Sequence, residues 1–286
     1  MPAGKAEMEA WHVSPGGQVA TAVLAANRLG RSAAFVGTVG GDAAADRVLA
    51  PLRAAGVDVS RVRRVAGAAT QRAMIWVEGT SGERTVFWQR DAGLALAASD
   101  APLDLVPEAG VLLIDGGDPA VAIPSAERAR SCGVPVVLDA DGAGPQTDAL
   151  LARCDFPIVS GEWAAARWGS GERAVRALAA GGARLAVATL GADGAVAATP
   201  AGEILYSPAS AVVAVDTTGA GDVFHGAFCD AVLSGLGPEQ ALRWSNVAAG
   251  LGCTRLGAQG GLPTRPELEA AFAVGSGRAA GRRAER

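Results

Sequence analysis

The chain has 286 residues, of which 50% are hydrophobic, so it is long enough for one large α/β domain with a sizeable core. Its net charge of -4 argues against a nucleic-acid partner, and no apolar run approaches the roughly 18 residues that a membrane span needs. Four widely spaced cysteines without a CxxC pair, and no signal-peptide pattern before Trp11, predict a cytoplasmic protein.

Short apolar runs alternate with helical periodicity along most of the chain. Such runs between helices indicate a parallel sheet that is covered on both faces. The predicted strands are 33–37, 111–114, 134–138, 156–159, 185–189 and 212–215, and the predicted helices are about 43–55, 119–131, 162–168, 171–180 and a helix that starts near Val223.

Two segments are predicted to be antiparallel hairpins instead. The first pairs 72–78 with 83–89 across a Gly-Thr-Ser-Gly turn, and it is either a flap over a site or a plain sheet edge. The second pairs 194–198 with 203–206. The tail 275–286 is rich in arginine, glycine and alanine, which predicts a disordered, solvated end.

The turn Asp216-Thr217-Thr218-Gly219-Ala220-Gly221-Asp222 carries the clearest chemical signal. It leads into a helix, whose first N–H groups bind anions, and its small residues let a phosphate approach the backbone. A carboxylate at Asp222 could accept a proton from a substrate hydroxyl while the amides stabilise the transferring phosphoryl group. The alternative is that either aspartate only caps the helix.

The run 216–224 resembles the D-T-x-G-A-G-D-x-F signature of the ribokinase-like (PfkB) sugar kinase family, and the chain has no P-loop sequence. Further matches follow in the family's order over about residues 5 to 270. They are Gly16-Gly17 with Ala20-Thr21-Ala22, the V-G-x-x-G-x-D stretch 36–42, the G-E-R-T turn 82–85, the T-x-G-x-x-G turn 189–194, and Cys253-Thr254-Arg255 with Gly257-Ala258.

The resemblance implies an α/β, three-layer sandwich with a mainly parallel central sheet and a small β-hairpin lid, in a kinase domain 1–274 with lid segments about 5–15 and 70–90. It implies ATP and Mg²⁺ as cofactors, with K⁺ as an addition, and a homodimer formed through the lid. The implied catalytic group is Asp222, with Gly219, Ala220 and Gly221 as the anion hole; Gly16, Gly17 and Thr21 bind the sugar; Thr189, Gly191 and Gly194 border the nucleotide; Asp216 and Thr218 bind a monovalent cation. The glycine pairs could also be ordinary turns.

Two features depart from the family pattern. The family's first core strand, with its sugar-binding Asp, is expected to be missing, because 6–13 resembles the lid strand that follows it. The N-x-x-E motif reads Ser160-Gly161-Glu162-Trp163, so Glu162 either reaches magnesium through water or is a surface residue. Asp139 and Asp141 follow a predicted strand and either touch the sugar or metal shell or cap the loop.

The sequence therefore predicts ATP-dependent phosphorylation of a primary hydroxyl of a small sugar, a fructose-like or sulfofructose-like ketose. Within the family, D-V-F-H-G-A at 222–227 resembles sulfofructose kinases most, with ribokinases further away. Arg90 could hold a sulfonate or be a surface residue. The alternatives are a nucleoside kinase and a catalytically impaired ligand-binding protein that lacks the N-terminal segment.

Overall fold

A computed structural model describes residues 7–78, 84–140, 142 and 144–283, with side chains as far as residue 274. The helices are α1 (Gln18–Arg28), α2 (Ala43–Ala54), α3 (Pro119–Cys132), α4 (Pro145–Leu151), α5 (Gly161–Trp168), α6 (Gly171–Ala180), α7 (Ala220–Leu233), α8 (Pro238–Gly252) and α9 (Arg265–Arg283). The strands are β1 (Gly37–Gly40), β2 (Val62–Val65), β3 (Arg72–Val77), β4 (Arg84–Gln89), β5 (Leu112–Asp115), β6 (Val136–Ala140), β7 (Phe156–Ser160), β8 (Ala186–Thr189), β9 (Ala195–Ala198) and β10 (Ile204–Ser207).

The main sheet has six strands in the order β10-β9-β8-β7-β6-β5. β5 to β8 are parallel, whereas β9 and β10 continue the sheet as antiparallel strands. Alternate residues of β6 point into two different cores: Val137 packs with residues of α1, α7 and α8, and Val136 and Leu138 pack with residues of α3 and α6. The sheet is thus the middle layer of three, which confirms the predicted architecture and explains the continuous apolar runs.

The carboxyl ends of the parallel strands place polar residues on one edge of the sheet. Asp115 at the end of β5 is in register with Asp139 of β6, and Ser160 of β7 is in register with Thr189 of β8. Ligands of α/β sheets bind at such edges, so these four residues lie on the side of the sheet where a ligand is expected.

A gap separates the main sheet from a second, two-stranded sheet of β1 and β2. These two strands pair in parallel, and in the part of the chain that the structure describes no strand pairs with the outer edge of β5 or of β1. A cleft of about 2820 Å³ runs between them and is lined by Phe35 and Val39 on one side and Leu113 and Ile114 on the other.

The hairpin of β3 and β4 pairs only with itself among the described strands. Its predicted turn, 79–82, lies outside the described residues. The expected lid strand at 6–13 is wrong for residues 7–13, which are exposed and form no ladder with the hairpin. An extended segment needs an aligned partner edge to become a strand, and neither hairpin edge is paired with it.

Three other predictions need correction. The predicted strand 33–37 makes only a single bridge, Ala34 with Asp58, and the strand begins at Gly37. The predicted strand 212–215 is irregular, because the amide of Val215 bonds to the carbonyl of Cys253 instead of a strand, and Val213 is 87% exposed. The expected disordered tail is helical in its backbone up to Arg283 as part of α9, consistent with the high helix propensity of alanine and arginine.

The α1 helix packs closely along α7, and this contact aligns their N-terminal ends. A Cβ on Gly226 would lie 2.2 Å from the carbonyl oxygen of Ala22 and 2.8 Å from the Cβ of Ala25, so only glycine fits at the crossing. The start of α1, with Gly16 and Gly17 before it, thereby faces the same cleft as the start of α7.

The described helices include none that is both long and apolar enough to cross a bilayer.

Candidate active site

Asp216 joins two loops at the N-terminus of α7. Its Oδ1 accepts the amide of Thr218 at 2.9 Å, and its Oδ2 accepts the amide of Gly257 at 2.8 Å. Burial acts to raise the pKa of this carboxyl, but the hydrogen bonds from Thr218 and Gly257 and the charge of Arg84 outweigh it and hold the pKa below its usual value. Asp216 is therefore a negatively charged side chain that holds the two loops together through hydrogen bonds.

Gly219 is required by the turn itself. Its φ of 79° lies in the left-handed region, and a Cβ there would be 2.7 Å from the Cβ of Ala258. Gly221, in contrast, has open space where a Cβ would stand. Gly219 therefore shapes the turn, and Gly221 leaves room for a ligand at the first N–H groups of α7, which have no partners within a helix.

Asp222 stands in the first turn of α7 and is half-buried. It lines the cleft together with Thr218, Gly219, Gly16 and Gly17. The predicted base, the anion-binding turn and the glycine pair before α1 are thus brought together, although 202 positions separate Gly17 from Gly219 in the sequence.

The hairpin closes one side of this cleft. Residues of β3 and β4, including Trp76 and Val86, line it. The guanidinium of Arg84 donates to the carbonyl oxygen of Thr217 at 3.0 Å and to its hydroxyl at 2.9 Å. The sequence indicated Arg84 only as part of a turn motif, and nothing in its spacing predicts a contact with a loop 133 positions away.

Thr21 does not face the cleft. It is completely buried in α1, and its hydroxyl accepts a hydrogen bond from the side chain of Gln259 at 3.3 Å. The expected direct contact of Thr21 with a substrate is therefore wrong, because the inward face of α1 packs against α7.

The predicted nucleotide residues lie at the end of β8 and in the turn after it, and they are not part of the lining of the cleft that Asp222 lines. Gly191 and Gly194 have φ of 59° and 92°, and a Cβ on Gly194 would be 2.1 Å from the carbonyl oxygen of Ser207. Both glycines are needed by the turn between β8 and β9. Thr189 and the exposed Glu162 lie on the same edge of the sheet, at the ends of β8 and the start of α5.

The protein offers few side-chain ligands for a metal ion in this site. The described residues include no group of three or more His, Cys, Asp or Glu side chains arranged to hold an ion. Asp141 lies outside the described residues. A magnesium ion here would take most of its ligands from phosphate and water, as magnesium commonly does. Both oxygens of Asp216 already accept amide hydrogens.

Comparisons with known proteins agree with this geometry. Residues 2–265 match the family described as "pfkB family carbohydrate kinase". The chain is 32% identical over 257 residues to the ribokinase of Bacillus subtilis, covering 89% of this chain and 86% of that protein.

Two solved structures are similar over most of their length. Arabidopsis thaliana ribokinase complexed with ribose and ATP has a TM-score of 0.79 and 26% identity, covering 90% of this chain and 87% of that one. Thermotoga maritima ribokinase has a TM-score of 0.80 and 26% identity, covering 96% and 92%. The chain belongs to the pfkB family of carbohydrate kinases, and it is a sugar kinase that transfers a phosphoryl group to an alcohol acceptor.

Proposed function

We propose that this kinase transfers the γ-phosphoryl group of ATP to a primary hydroxyl of a small sugar, with Asp222 as the general base. The observation that carries the proposal is the position of Asp222 beside the open first turn of α7 in a cleft that the hairpin borders. The carboxylate accepts the hydroxyl proton, and the amides after Gly219 stabilise the negative charge of the transferring group.

Ribose is the first candidate substrate. The B. subtilis relative is named a ribokinase, and the A. thaliana structure contains ribose and ATP, whereas the sequence had placed ribokinases further away than sulfofructose kinases. The sulfosugar proposal also loses its arginine, because Arg90 is held by Asp118 and by the carbonyl oxygens of Gly117 and Leu94. A fructose-like ketose remains the second candidate, on the motif resemblance.

The donor site is proposed to take MgATP. The open space at Gly221 and the amides of the first turn of α7 fit a terminal phosphate, and bound magnesium would neutralise charge on the transferring group. Glu162 is the proposed carboxylate that acts through water. Potassium at Asp216 and the Thr218 carbonyl stays a proposal that would require the cation to share carboxylate oxygens with the two amides.

The hairpin supports a proposed homodimer. Met74 on β3 is 46% exposed, and Phe87 and Trp88 on β4 are 43% and 68% exposed. A two-stranded ribbon with such side chains gains stability by covering them. We therefore propose that two copies pair through β3 and β4, and that the protein acts in the cytoplasm, where its cysteines stay reduced.

The experiment is a substrate panel. ADP release is measured with MgATP and ribose, fructose, sulfofructose or adenosine, and the phosphorylated product is identified by mass. We expect transfer to ribose above the no-sugar background. ADP release at background with every sugar would contradict the proposed activity for this chain, and preference for adenosine would replace a sugar by a nucleoside. Light scattering of the same sample measures whether it is dimeric.

A further inference from the structure

His225 lies directly beneath the first turn of α7 and makes a contact that the phosphoryl-transfer mechanism above does not use. Its Nδ1 is 2.6 Å from the carbonyl oxygen of Gly221. Because a carbonyl oxygen only accepts, Nδ1 must carry a hydrogen. The Gly221 carbonyl belongs to the same peptide group as the amide N–H of Asp222, so the imidazole fixes the plane of a peptide unit in the anion-binding turn.

The other ring nitrogen of His225 faces Asp139 at the carboxyl end of β6. Nε2 is 3.5 Å from Oδ1 of Asp139, both residues are less than 10% exposed, and Nε2 has no hydrogen-bond partner among the described residues. A neutral imidazole that uses its one hydrogen at Nδ1 would turn a lone pair toward a carboxylate oxygen. Without a second proton, the Nε2 lone pair and the Asp139 oxygen would be two buried acceptors that face each other, which is unfavourable. A proton between them removes this cost.

The charged side chains closest to this pair in the sheet and on the helix are carboxylates. Asp115 is beside Asp139 in the sheet register, and Asp222 is on the same helix one turn before His225. Cys229, the next turn along, stays neutral, because burial raises the pKa of its thiol to about 12.

The neighbouring helices bring few competing charges. The only charged residue in α1 is Arg28 at its far end. The charged residues of α8 are Glu239 and Arg243. Arg243 precedes Trp244, whose indole N–H reaches Asp230 near the other end of α7.

We propose that His225 is a positioning residue of the kinase site: its Nδ1–H holds the Gly221–Asp222 peptide in place, and its Nε2 shares a proton with Asp139. This inference rests on the proposed function, since the peptide it holds carries the proposed base. The pair links the end of β6 to the turn that binds the phosphoryl group. The positive imidazole edge also adds to the field in which charge develops on that group.

The first test reads the ring nitrogens directly and does not depend on activity. The chain has two histidines, so ¹⁵N-labelled protein gives two sets of imidazole signals in long-range ¹H–¹⁵N spectra, each with an Nδ1 and an Nε2, and His12→Gln assigns them. We expect Nδ1 of His225 to be protonated, with a proton also at Nε2. In Asp139→Asn the amide can donate to Nε2, so Nε2 should lose its proton while Nδ1 keeps its own. A bare Nδ1 in the native protein would overturn the proposal.

The second test separates positioning from folding. His225→Phe removes the donor, and His225→Asn keeps a donor near the same place without the second nitrogen. We expect His225→Phe to lower kcat by roughly 10- to 100-fold, as misplacement of a reacting group does, with KM for the sugar little changed, and His225→Asn to recover most of the loss. Equal kcat in all three proteins would refute the positioning role. If the native protein transfers no phosphoryl group, the proposed function fails, while the nitrogen spectra still decide the tautomer.

Discussion

Arg84 of the hairpin donates two hydrogen bonds to Thr217 in the loop before α7, one to the carbonyl oxygen and one to the hydroxyl. The guanidinium thus connects the hairpin to the loop that precedes the proposed anion-binding turn. Closing a site over the reacting groups excludes water and limits hydrolysis. If the hairpin is a lid, the strength of this connection should decide how much ATP is transferred to sugar and how much is lost to water.

Arg84→Ala is expected to loosen the lid. Hydrogen bonds to charged groups contribute about 1.5–3 kcal/mol, so we expect the ratio of ATP hydrolysis to sugar phosphorylation to rise roughly tenfold or more. Both products are measured in one assay. Arg64→Ala, which removes an exposed pair with Asp46, is the matched control. An unchanged ratio in Arg84→Ala would show that the hairpin does not act as a lid.

Asp222→Asn is expected to lower turnover while nucleotide still binds. The amide keeps the shape of the side chain but accepts no proton, and general-base contributions are typically 10²- to 10⁴-fold. kcat is measured by product formation and ADP affinity by calorimetry, with Asp104→Asn on the surface as the control. Turnover within a few-fold of the native value would exclude Asp222 as the base.

The charge of Asp42 is expected to make part of the folding stability depend on pH. The pKa of Asp42 is lowered from 3.8 to about 2. The largest cause is hydrogen bonding from Thr70, and the backbone amide of Ala45 and the guanidinium of Arg72 contribute further. A carboxyl with a lowered folded-state pKa stabilises above its unfolded-state pKa and loses that contribution as pH falls through the folded value.

The melting temperature of the native protein should therefore exceed that of Asp42→Asn at neutral pH. The difference should shrink as the pH falls from about 4 to about 2. A difference that stays constant over this interval would mean that the charge of Asp42 contributes nothing to stability.

Asp230 is the centre of a buried charged cluster. It is completely buried, bonds to the guanidinium groups of Arg31 and Arg265, and accepts the indole N–H of Trp244 at 2.9 Å. Removing one member of a buried ion pair leaves the others uncompensated, which costs about 3–5 kcal/mol.

Asp230→Asn should therefore lower the free energy of unfolding by an amount of this order, measured by urea denaturation. Asp104→Asn, which breaks an exposed pair with Arg61, should change it by about 1 kcal/mol or less. Equal effects of the two changes would rule out the cluster as a stabilising centre.

The sequence predicted the elements whose signals are local. The buried strands of the sheet appear as apolar runs, and the hairpin appears because two alternating segments flank a glycine turn. The run 212–215 has the same β-branched composition, yet it is exposed and bonds to Cys253, since composition does not say whether a partner strand is near.

The site was predictable where it is continuous in the chain and not where it is assembled. Asp222 and Gly219 belong to one motif, so their common place at the start of α7 was predictable. Thr21 was assigned to the substrate because it is near the glycine pair, but the helical turn places it inward. The contacts of Arg84 with Thr217 and of His225 with Asp139 join distant segments, and a single sequence holds no signal for such pairs.

The gap between β1 and β5 divides the molecule into two parts that should open separately. β6, β7 and β8 are bonded on both sides, so their amides can exchange with solvent only when the main sheet opens. Among the described strands β1 pairs with β2 alone, and a two-stranded sheet has little stability of its own. In a hydrogen-exchange experiment the amides of β1 and β2 should therefore exchange before those of β6, β7 and β8, because these two strands open at a lower free energy.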